Sequence, residues 1–360
     1  MIRTSRSREV AYANCQRLGW LSYDAGGTGF EPVSLSLPLA NGIAIHETLA
    51  QILGGVHPEE AISKMLAAYE AQVRARGVAN EDLDGLETLI QEQKTLLAGT
   101  VYAWVETRLP RLREQFDFLL VEKELQWEVA EGVILRIRCD VLAREKSSGG
   151  LFYIEWKTTS TGGDEWAKQW EHNTQLLSNT LAIEAALGER CEGVIIEGFI
   201  KGRRAIDKAK VSPFFGKRIQ QSPICYGYVS DISGEYRSAY TSAKGWRKIA
   251  TWKEMPVERW VKRVMTEDER RDLFAPVPPI KPTPWHLARW REQFLATQRE
   301  RAEKLRTGAD AFPLNDDHCF RYWGHPCPFE PLCFRSAVRD DPLGSGLYQA
   351  RIDHHGEVMP

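Results

Sequence analysis

The feature that most constrains the fold is a two-residue alternation in the middle of the chain. Residues 133–144 (VILRIRCDVLAR) alternate apolar with polar side chains, and residues 120–129 do so less regularly. Gly149 and Gly150 mark a turn before the apolar run that begins at Leu151. Alternation is typical of strands, because successive side chains point to opposite faces of a sheet. The pattern therefore predicts three antiparallel strands connected as a meander.

Helical patterns surround this meander. They cover four stretches, at residues 42–53, 58–76, 81–108 and 165–187. Asn41 is placed to cap the first helix, and Gly188 to end the last. A buried strand over residues 193–200 follows. The order αβββαβ predicts a mixed α/β fold, in which a helix crossover follows the antiparallel strands.

The rest of the chain, from residue 201 to residue 360, is less regular. Three short strand-like pieces (YGYVSD, EYRSAY and WRKIATW) precede a short helix near residues 257–264. The run PVPPIKPTP at 276–284 indicates a proline-rich linker, and a helix over 285–306 follows it. We therefore divide the chain into four segments, an N-terminal segment (1–40), a core with a helical insertion (41–202), a basic and aromatic extension (203–280) and a C-terminal segment (281–360).

Composition excludes several classes of protein. The chain has 360 residues, of which 43% are hydrophobic and 27% charged, with a formal net charge of −2. This length allows two domains or one elaborated domain. A nucleic-acid partner would have to bind local basic patches, because the whole chain has no basic excess. Without a long apolar run or an apolar signal core, we expect no membrane span and a cytoplasmic, reducing location.

The strongest chemical signal combines an acid on one strand with an acid–x–lysine motif on the next. Glu155 and Lys157 are two residues apart and share a face, which Asp140 can reach from the neighbouring strand. Two carboxylates at about 4–6 Å repel each other and favour a divalent cation between them. Oxygen ligands suit Mg²⁺ or Mn²⁺, which would activate water and neutralise charge at a phosphate. Lys157 would orient that water.

An exposed ion pair is the ordinary interpretation of acid–x–lysine on a strand. Here, however, Glu155 follows the apolar residues 151–154. Charges at the end of a buried strand need a compensating interaction. The context therefore favours a catalytic interpretation.

These motifs resemble the RecB-like branch of the PD-(D/E)xK nucleases, which share an αβββαβ core. The resemblance implies that His46, on the upstream helix, joins Asp140 and Glu155 as a metal ligand. It also implies that Gln175, on the helix after the lysine strand, is a further catalytic residue. The implied activity is metal-dependent cleavage of DNA.

The resemblance extends over residues 42–200 and has two departures. Asn179 stands where the family usually has an aromatic residue, and Cys139 replaces the proline before the acid. Without the family, His46 would be an ordinary core or surface histidine and Gln175 a surface helix residue.

Three of the seven cysteines cluster near the C-terminus. Cys319, Cys327 and Cys333 form the spacing C-x7-C-x5-C. Clustered cysteines in a reducing compartment more often bind metal than form disulfides. His318 and His325 lie in the same segment, so a zinc site with three cysteines and one histidine is an alternative.

The cysteines resemble the iron–sulfur branch of the same family, in which one cysteine before the core and three after it hold a [4Fe-4S] cluster. Cys15 is the matching upstream cysteine, followed by Arg17, Trp20 and Tyr23 as in that branch. The seven-residue gap after the first C-terminal cysteine is a departure. We favour the cluster over zinc, because Cys15 completes a set of four thiolates. The other cysteines are interpreted as core residues, namely Cys139, Cys191 and Cys225.

A basic stretch at residues 201–218 is the candidate DNA-binding surface. Phe214 and Phe215 interleave with its charges, and basic groups with aromatics suit single-stranded DNA. A solvated charged face is the ordinary alternative. The basic residues are Lys201, Arg203, Arg204, Lys208, Lys210, Lys217 and Arg218.

Together these features predict a Mg²⁺- or Mn²⁺-dependent deoxyribonuclease with an iron–sulfur subdomain. The resemblance implies an exonuclease on single-stranded or free-ended DNA in recombination, repair or phage DNA metabolism. The alternatives are an iron–sulfur DNA-binding module that has lost cleavage, and a structure-specific endonuclease. The chain has no GxxxxGK[ST] motif and is not itself a helicase.

Overall fold

The computed structural model describes residues 2–77, 83–159, 162–171, 173–200, 273–319 and 326–351. Between residues 204 and 251 it describes the backbone of five short strands. Within these ranges, no helix has the length and apolar character needed to cross a membrane.

The first third of the chain is mostly helical. Its elements are β1 (Ile2–Ser5), α1 (Arg6–Asn14), α2 (Gln16–Tyr23), β2 (Phe30–Pro32), α3 (Leu37–Leu53), α4 (Pro58–Arg76), α5 (Leu83–Thr107) and α6 (Leu109–Gln115).

Strands and helices alternate in the rest of the chain. The central elements are β3 (Phe116–Ala130), β4 (Val133–Glu145), β5 (Leu151–Thr159), α7 (Asp164–Lys168), α8 (Thr174–Leu187) and β6 (Cys191–Ile200). The short strands are β7 (Arg204–Ala205), β8 (Gln220–Gln221), β9 (Gly227–Val229), β10 (Glu235–Ser238) and β11 (Arg247–Thr251). The last elements are β12 (Phe274–Ile280), α9 (Pro284–Thr307), α10 (Asp316–Cys319), α11 (Glu330–Phe334), α12 (Ser336–Asp340) and β13 (Tyr348–Ala350).

A six-stranded mixed sheet organises the fold. Strands β3, β4 and β5 form the predicted antiparallel meander, and β6 pairs parallel to β5 after the crossover through α8. The αβββαβ order is therefore confirmed. Strand β1, which pairs parallel to β4, was not predicted. The three strand-like pieces after residue 225 are β9, β10 and β11, and the helix predicted near residues 257–264 lies outside the described residues.

Helices pack on both faces of this sheet. Phe152, Ile154 and Trp156 of β5 face a core built with helices α3, α4 and α5. Leu151 and Tyr153 face a second core built with α8 and α9. Because both faces are covered, β5 reads as one continuous apolar run rather than an alternating strand.

The prediction of a proline-rich linker at residues 276–284 is wrong for residues 276–280, which belong to a strand. Residues 274–280 form β12, which pairs antiparallel to β6 at the edge of the sheet. Proline lacks the N–H that an inner strand needs, but an edge strand tolerates it. Val277 is buried in the core between the prolines.

Two predicted helix boundaries are also wrong. Helix α3 begins at Leu37, so Asn41 lies inside it, and its side chain donates a hydrogen bond to Gln93 Oε1 at 2.6 Å instead of capping. The stretch 165–187 is two helices, α7 and α8, because the chain turns after Lys168 and starts again at Asn173, whose side chain caps α8. Gly188, in the left-handed conformation at φ 65°, ends α8 as predicted.

A buried ion pair fixes the helical layer to the sheet. Arg108, at the end of α5, pairs with Glu197 of β6, whose side chain is 1% exposed. Arg108→Ala would leave this carboxylate buried and unpaired, and should lower the free energy of unfolding by about 3–5 kcal/mol. Urea unfolding followed by circular dichroism measures the loss. Lys64→Ala breaks the exposed Lys64–Glu60 pair and should leave the midpoint unchanged, so equal effects would contradict the assignment.

Candidate metal centre and active site

The candidate site lies where β4 separates from β5. Strand β4 pairs with β5 over Val141–Arg144 and with β1 over Val133–Arg136. It therefore leaves β5 at Asp140. There the backbone N–H of Trp156 donates a hydrogen bond to Asp140 Oδ2 at 2.7 Å, in place of a ladder bond. The divergence opens the sheet between Asp140 and Glu155.

The strand register aligns three carboxylates across neighbouring strands. In the β3–β4 ladder, Val121 pairs with Val141 and Lys123 pairs with Cys139. Glu122 and Asp140, which lie between these pairs, are therefore opposite each other. In the β4–β5 ladder, the last pair at this end is Val141 with Ile154. Asp140 and Glu155 therefore face each other one residue beyond the ladder. Opposite residues have Cβ atoms about 4.5–5.5 Å apart, and like charges there are destabilising. This arrangement therefore favours a cation at the centre of the row.

His46 of α3 faces two of these acids. Its Nδ1 lies 3.5 Å from Glu122 Oε1 and 3.5 Å from Asp140 Oδ1. Its ring packs edge-on against Trp156, with centroids 5.6 Å apart. Although burial lowers it, the charge of Asp140 and the contacts of the ring with the Asp140 and Glu122 carboxylates raise the pKa of His46 to about 9.

Glu155 is the most enclosed acid of the site, at 1% exposure. Its Oε1 accepts hydrogen bonds from Lys157 Nζ and, at 2.7 Å, from Gln175 Nε2. Burial and the charge of Asp140 raise the pKa of Glu155 to about 7, against the opposing charge of Lys157. For Asp140, burial is outweighed by His46 and Lys157, and its pKa lies below the ordinary value.

The structure thus brings together all five residues that the sequence proposed for the nuclease site, namely His46, Asp140, Glu155, Lys157 and Gln175. Asn179, at the position of the family's aromatic residue, is not among them. It is buried and donates a hydrogen bond to Tyr153 Oη at 2.8 Å.

Sequence analysis missed Glu122. It has a positive φ of 49°, which is rare outside glycine, and its Oε2 accepts a hydrogen bond from Arg138 Nε at 2.6 Å. A strained backbone at a non-glycine residue is typical of functional positions. The sequence carried a weak signal, an acid on the strand next to Asp140, but only the register shows that the two lie opposite.

The site has the donor atoms that a divalent cation requires. Within the described residues, His46, Glu122 and Asp140 alone offer three ligand atoms that all lie within 4.8 Å of one another. Glu155 Oε2 is buried without a hydrogen-bond partner, and Glu122 Oε1 is buried with only His46 Nδ1 facing it, at 3.5 Å. Buried carboxylate oxygens without partners are unfavourable, and a cation would satisfy them. Glu155, which the sequence proposed as a ligand, is not a member of this group of three. A set of carboxylates and an imidazole suits a divalent cation.

The four cysteines proposed for the cluster also come together. Cys15, Cys319, Cys327 and Cys333 lie within electrostatic reach of one another. Burial and the neighbouring thiols raise the pKa of Cys333 to about 11. Helix α2 and the segment after α10 meet in a small apolar cluster formed by Leu21, Ala25, Phe329, Leu332 and Tyr348.

The other sequence candidates divide into two groups. Cys139 and Cys191 are buried in the core as predicted. His325, Cys225 and the side chains of the basic stretch lie outside the described residues. Of this stretch the structure describes only the backbone of β7, Arg204–Ala205. The basic residues so placed are Lys201, Arg203, Arg204, Lys208, Lys210, Lys217 and Arg218.

A mixed sheet that brings carboxylates, a histidine and a lysine to one buried point defines a protein with a metal-binding active site. The family model for the PD-(D/E)XK nuclease superfamily matches residues 3–334, and the chain belongs to this superfamily. Membership implies a metal-dependent nuclease that acts on DNA. A search of curated proteins found no match to the chain.

The two raised pKa values predict how stability depends on pH without metal. The folded-state pKa is about 7 for Glu155, against an ordinary 4.5, and about 9 for His46, against 6.5. At a pH between the ordinary pKa and the folded-state pKa of each group, the folded protein holds a proton that the unfolded chain has lost. The free energy of unfolding should therefore fall as pH rises from about 5 to 9. Metal competes with these protons. Excess Mn²⁺ should therefore raise Tm by about 2–5 °C at pH 8, and by less at pH 5.5.

Thermal unfolding in EDTA and in Mn²⁺, at both pH values, tests this prediction. Glu155→Gln removes one of the two titrations, so its Tm in EDTA should change less than wild type between pH 5 and 7. If Mn²⁺ raised Tm by the same amount at both pH values, the assignment of these residues to a metal site would be contradicted.

Proposed function

We propose that the chain is a Mg²⁺- or Mn²⁺-dependent deoxyribonuclease whose active site is the opening between β4 and β5. The observation that carries the proposal is the row of three carboxylates beside His46 and Lys157, with buried oxygens that lack partners. An exposed ion pair would not need such an environment. A binding module that has lost cleavage would not need the lysine beside the acids.

In this proposal His46, Asp140 and Glu155 hold the cation, and Glu122 joins them. A divalent cation supplies Lewis acidity and positive charge at the phosphate. Lys157 Nζ, already hydrogen-bonded to Glu155, would orient the attacking water and stabilise charge on the phosphate oxygens. Gln175 would position Glu155 through the hydrogen bond from its side-chain amide.

We further propose that cleavage is exonucleolytic, on single-stranded or free-ended DNA in recombination, repair or phage DNA metabolism. The support is the resemblance to the RecB-like branch, whose motifs occur here in the same order over residues 42–200. The basic stretch at residues 201–218 is the proposed surface for the rest of the strand. A reducing, cytoplasmic location follows from the free thiols that this proposal requires.

The cysteine site is proposed to hold a [4Fe-4S] cluster. Thiols gathered at one place resist ionisation, and a positively charged group would stabilise them as thiolates. A tetrahedral zinc site would hold its sulfurs about 4 Å apart. Within the described residues, no group of three cysteine sulfurs lies within 4.8 Å of one another, which favours a larger group over zinc.

Lys157→Ala should reduce DNA cleavage by about 100- to 1000-fold, because it removes a positive charge beside the reacting phosphate. Anaerobically purified protein would be incubated with Mg²⁺ and end-labelled single-stranded, linear duplex and closed circular DNA. An exonuclease degrades the linear forms and leaves circles intact. Lys64→Ala, an exposed lysine on α4, is the matched control and should retain activity.

The other outcomes each contradict part of the proposal. Cleavage of closed circles identifies an endonuclease. DNA binding without cleavage by wild type identifies a binding module, and full activity of Lys157→Ala overturns the assignment of the site.

Cys333→Ser should remove the brown colour and broad visible absorption expected of the cluster. It should also lower Tm, because the cluster would join α2 to the C-terminal segment. Cys191→Ala, a cysteine in the core away from this site, is the control and should keep the colour. A colourless wild-type protein with one equivalent of zinc would contradict the cluster.

A further inference from the structure

A cavity of about 590 Å³ runs beside the proposed active site. Helices α1 and α9 and residues 312–315 form its walls. The residues that line it include Thr174, the residue before Gln175, and Cys15. We call it the α1–α9 cavity. The cavity thus borders Thr174, the first residue of helix α8, which also carries Gln175 of the proposed active site.

Arg6 is one of the residues that line this cavity. Strand β1 runs parallel to β4 and ends with Ser5 opposite Arg136, so the chain is directed toward the opening at Asp140. The next residue, Arg6, donates a hydrogen bond from Nη2 to Thr174 Oγ1 at 2.6 Å. Its guanidinium lies within electrostatic range of both Glu155 and Lys157.

Arg6 forms no direct ion pair among the described residues, although the carboxylates of Glu9 and Glu155 lie within electrostatic range. The Nε of Arg6 is buried without a hydrogen-bond partner. The two other cations of the cavity wall differ, since Arg301 pairs with Asp24 and Lys304 with Glu300. A partly buried guanidinium that is held by one neutral hydrogen bond and by no direct ion pair is unfavourable, and an anionic ligand would offset that cost.

The chemistry and size of the cavity fit one nucleotide of a single strand. A guanidinium presents a fork of N–H groups that binds a phosphate through two hydrogen bonds. A volume of about 590 Å³ is in the range of pockets that hold one small molecule, a size class that includes a single nucleotide. Polar groups that could contact a sugar or base line the wall, among them Gln293, Thr297 and Asn14.

We propose that Arg6 binds the phosphate next to the scissile phosphodiester, and that the α1–α9 cavity holds the flanking nucleotide of a single strand. This inference rests on the proposed nuclease function. It adds a reason for strand selection, because the nucleotide beside the cleavage point must be unpaired to enter the cavity.

The test measures binding and cleavage separately. Binding of fluorescein-labelled decathymidylate in Mn²⁺ is followed by fluorescence anisotropy in a Lys157→Ala background, where the DNA stays intact. Arg6→Ala should raise Kd by about 10- to 100-fold, as expected for a lost charged hydrogen bond. Arg6→Lys keeps the charge without the fork and should recover part of the affinity. Arg299→Ala, on an exposed arginine of α9 outside the cavity, should leave Kd unchanged.

A second pair of variants tests the cavity without touching the charge. Thr297→Trp fills the cavity and should also raise Kd. Ala296→Trp adds the same bulk at an exposed neighbouring position outside the cavity and should not. An unchanged Kd in both Arg6→Ala and Thr297→Trp overturns the inference. If the two tryptophan variants raise Kd equally, the cavity is not where the nucleotide binds, and that part of the inference is wrong.

Hydrolysis of bis(p-nitrophenyl) phosphate, with Lys157 intact, distinguishes the subsite from the active centre. This diester has no flanking nucleotide, so Arg6→Ala should hydrolyse it within about twofold of wild type while losing DNA cleavage. Equal loss on both substrates would place Arg6 in the catalytic centre and overturn the subsite. If wild type cleaves neither substrate, the nuclease function fails, and the anisotropy measurement still decides the role of Arg6.

Discussion

Repulsion between carboxylates on adjacent strands is the constraint on which the candidate site depends. Glu122, Asp140 and Glu155 come from three neighbouring strands, and the register brings them opposite one another. Each has a compensating contact, with Arg138, the backbone of Trp156 and Lys157 respectively. These contacts satisfy only part of the buried oxygens. A fold that keeps this arrangement gives up stability unless a cation binds, so the arrangement is better explained by metal binding than by packing.

Stability and chemistry conflict most at Glu155. Its carboxylate lies in an apolar strand, and burial together with the charge of Asp140 raises its pKa to about 7. Lys157 and Gln175 approach the same oxygen, Oε1, and leave Oε2 without a hydrogen bond. The protein therefore fixes one oxygen with two side chains and leaves the other buried without a partner. This is the division that a ligand carboxylate needs, because one oxygen must be fixed while the other remains available.

The local part of the site could be predicted from sequence, and the non-local part could not. Glu155 and Lys157 share a face because strand geometry places residues two apart on one side, and the hairpin brings Asp140 near them. Glu122 and Arg6 depend on register and on the parallel pairing of β1, which involve residues far apart in the chain. The edge strand β12 was hidden for another reason. Its prolines indicate a linker, and only a free sheet edge beside β6 makes them compatible with a strand.

The N-terminal segment connects the two candidate centres. Helix α1 begins with Arg6 beside the acids, and Cys15 follows its last residue at the cysteine site. Arg301 of α9 fixes this segment, since it is 6% exposed and bonds Asp24 and Thr4. A group bound by the cysteines would therefore restrain the end of the same short helix that carries Arg6 at its start. The structure therefore places Arg6 and Cys15 at opposite ends of one nine-residue helix, with Arg301 holding the neighbouring residues Thr4 and Asp24.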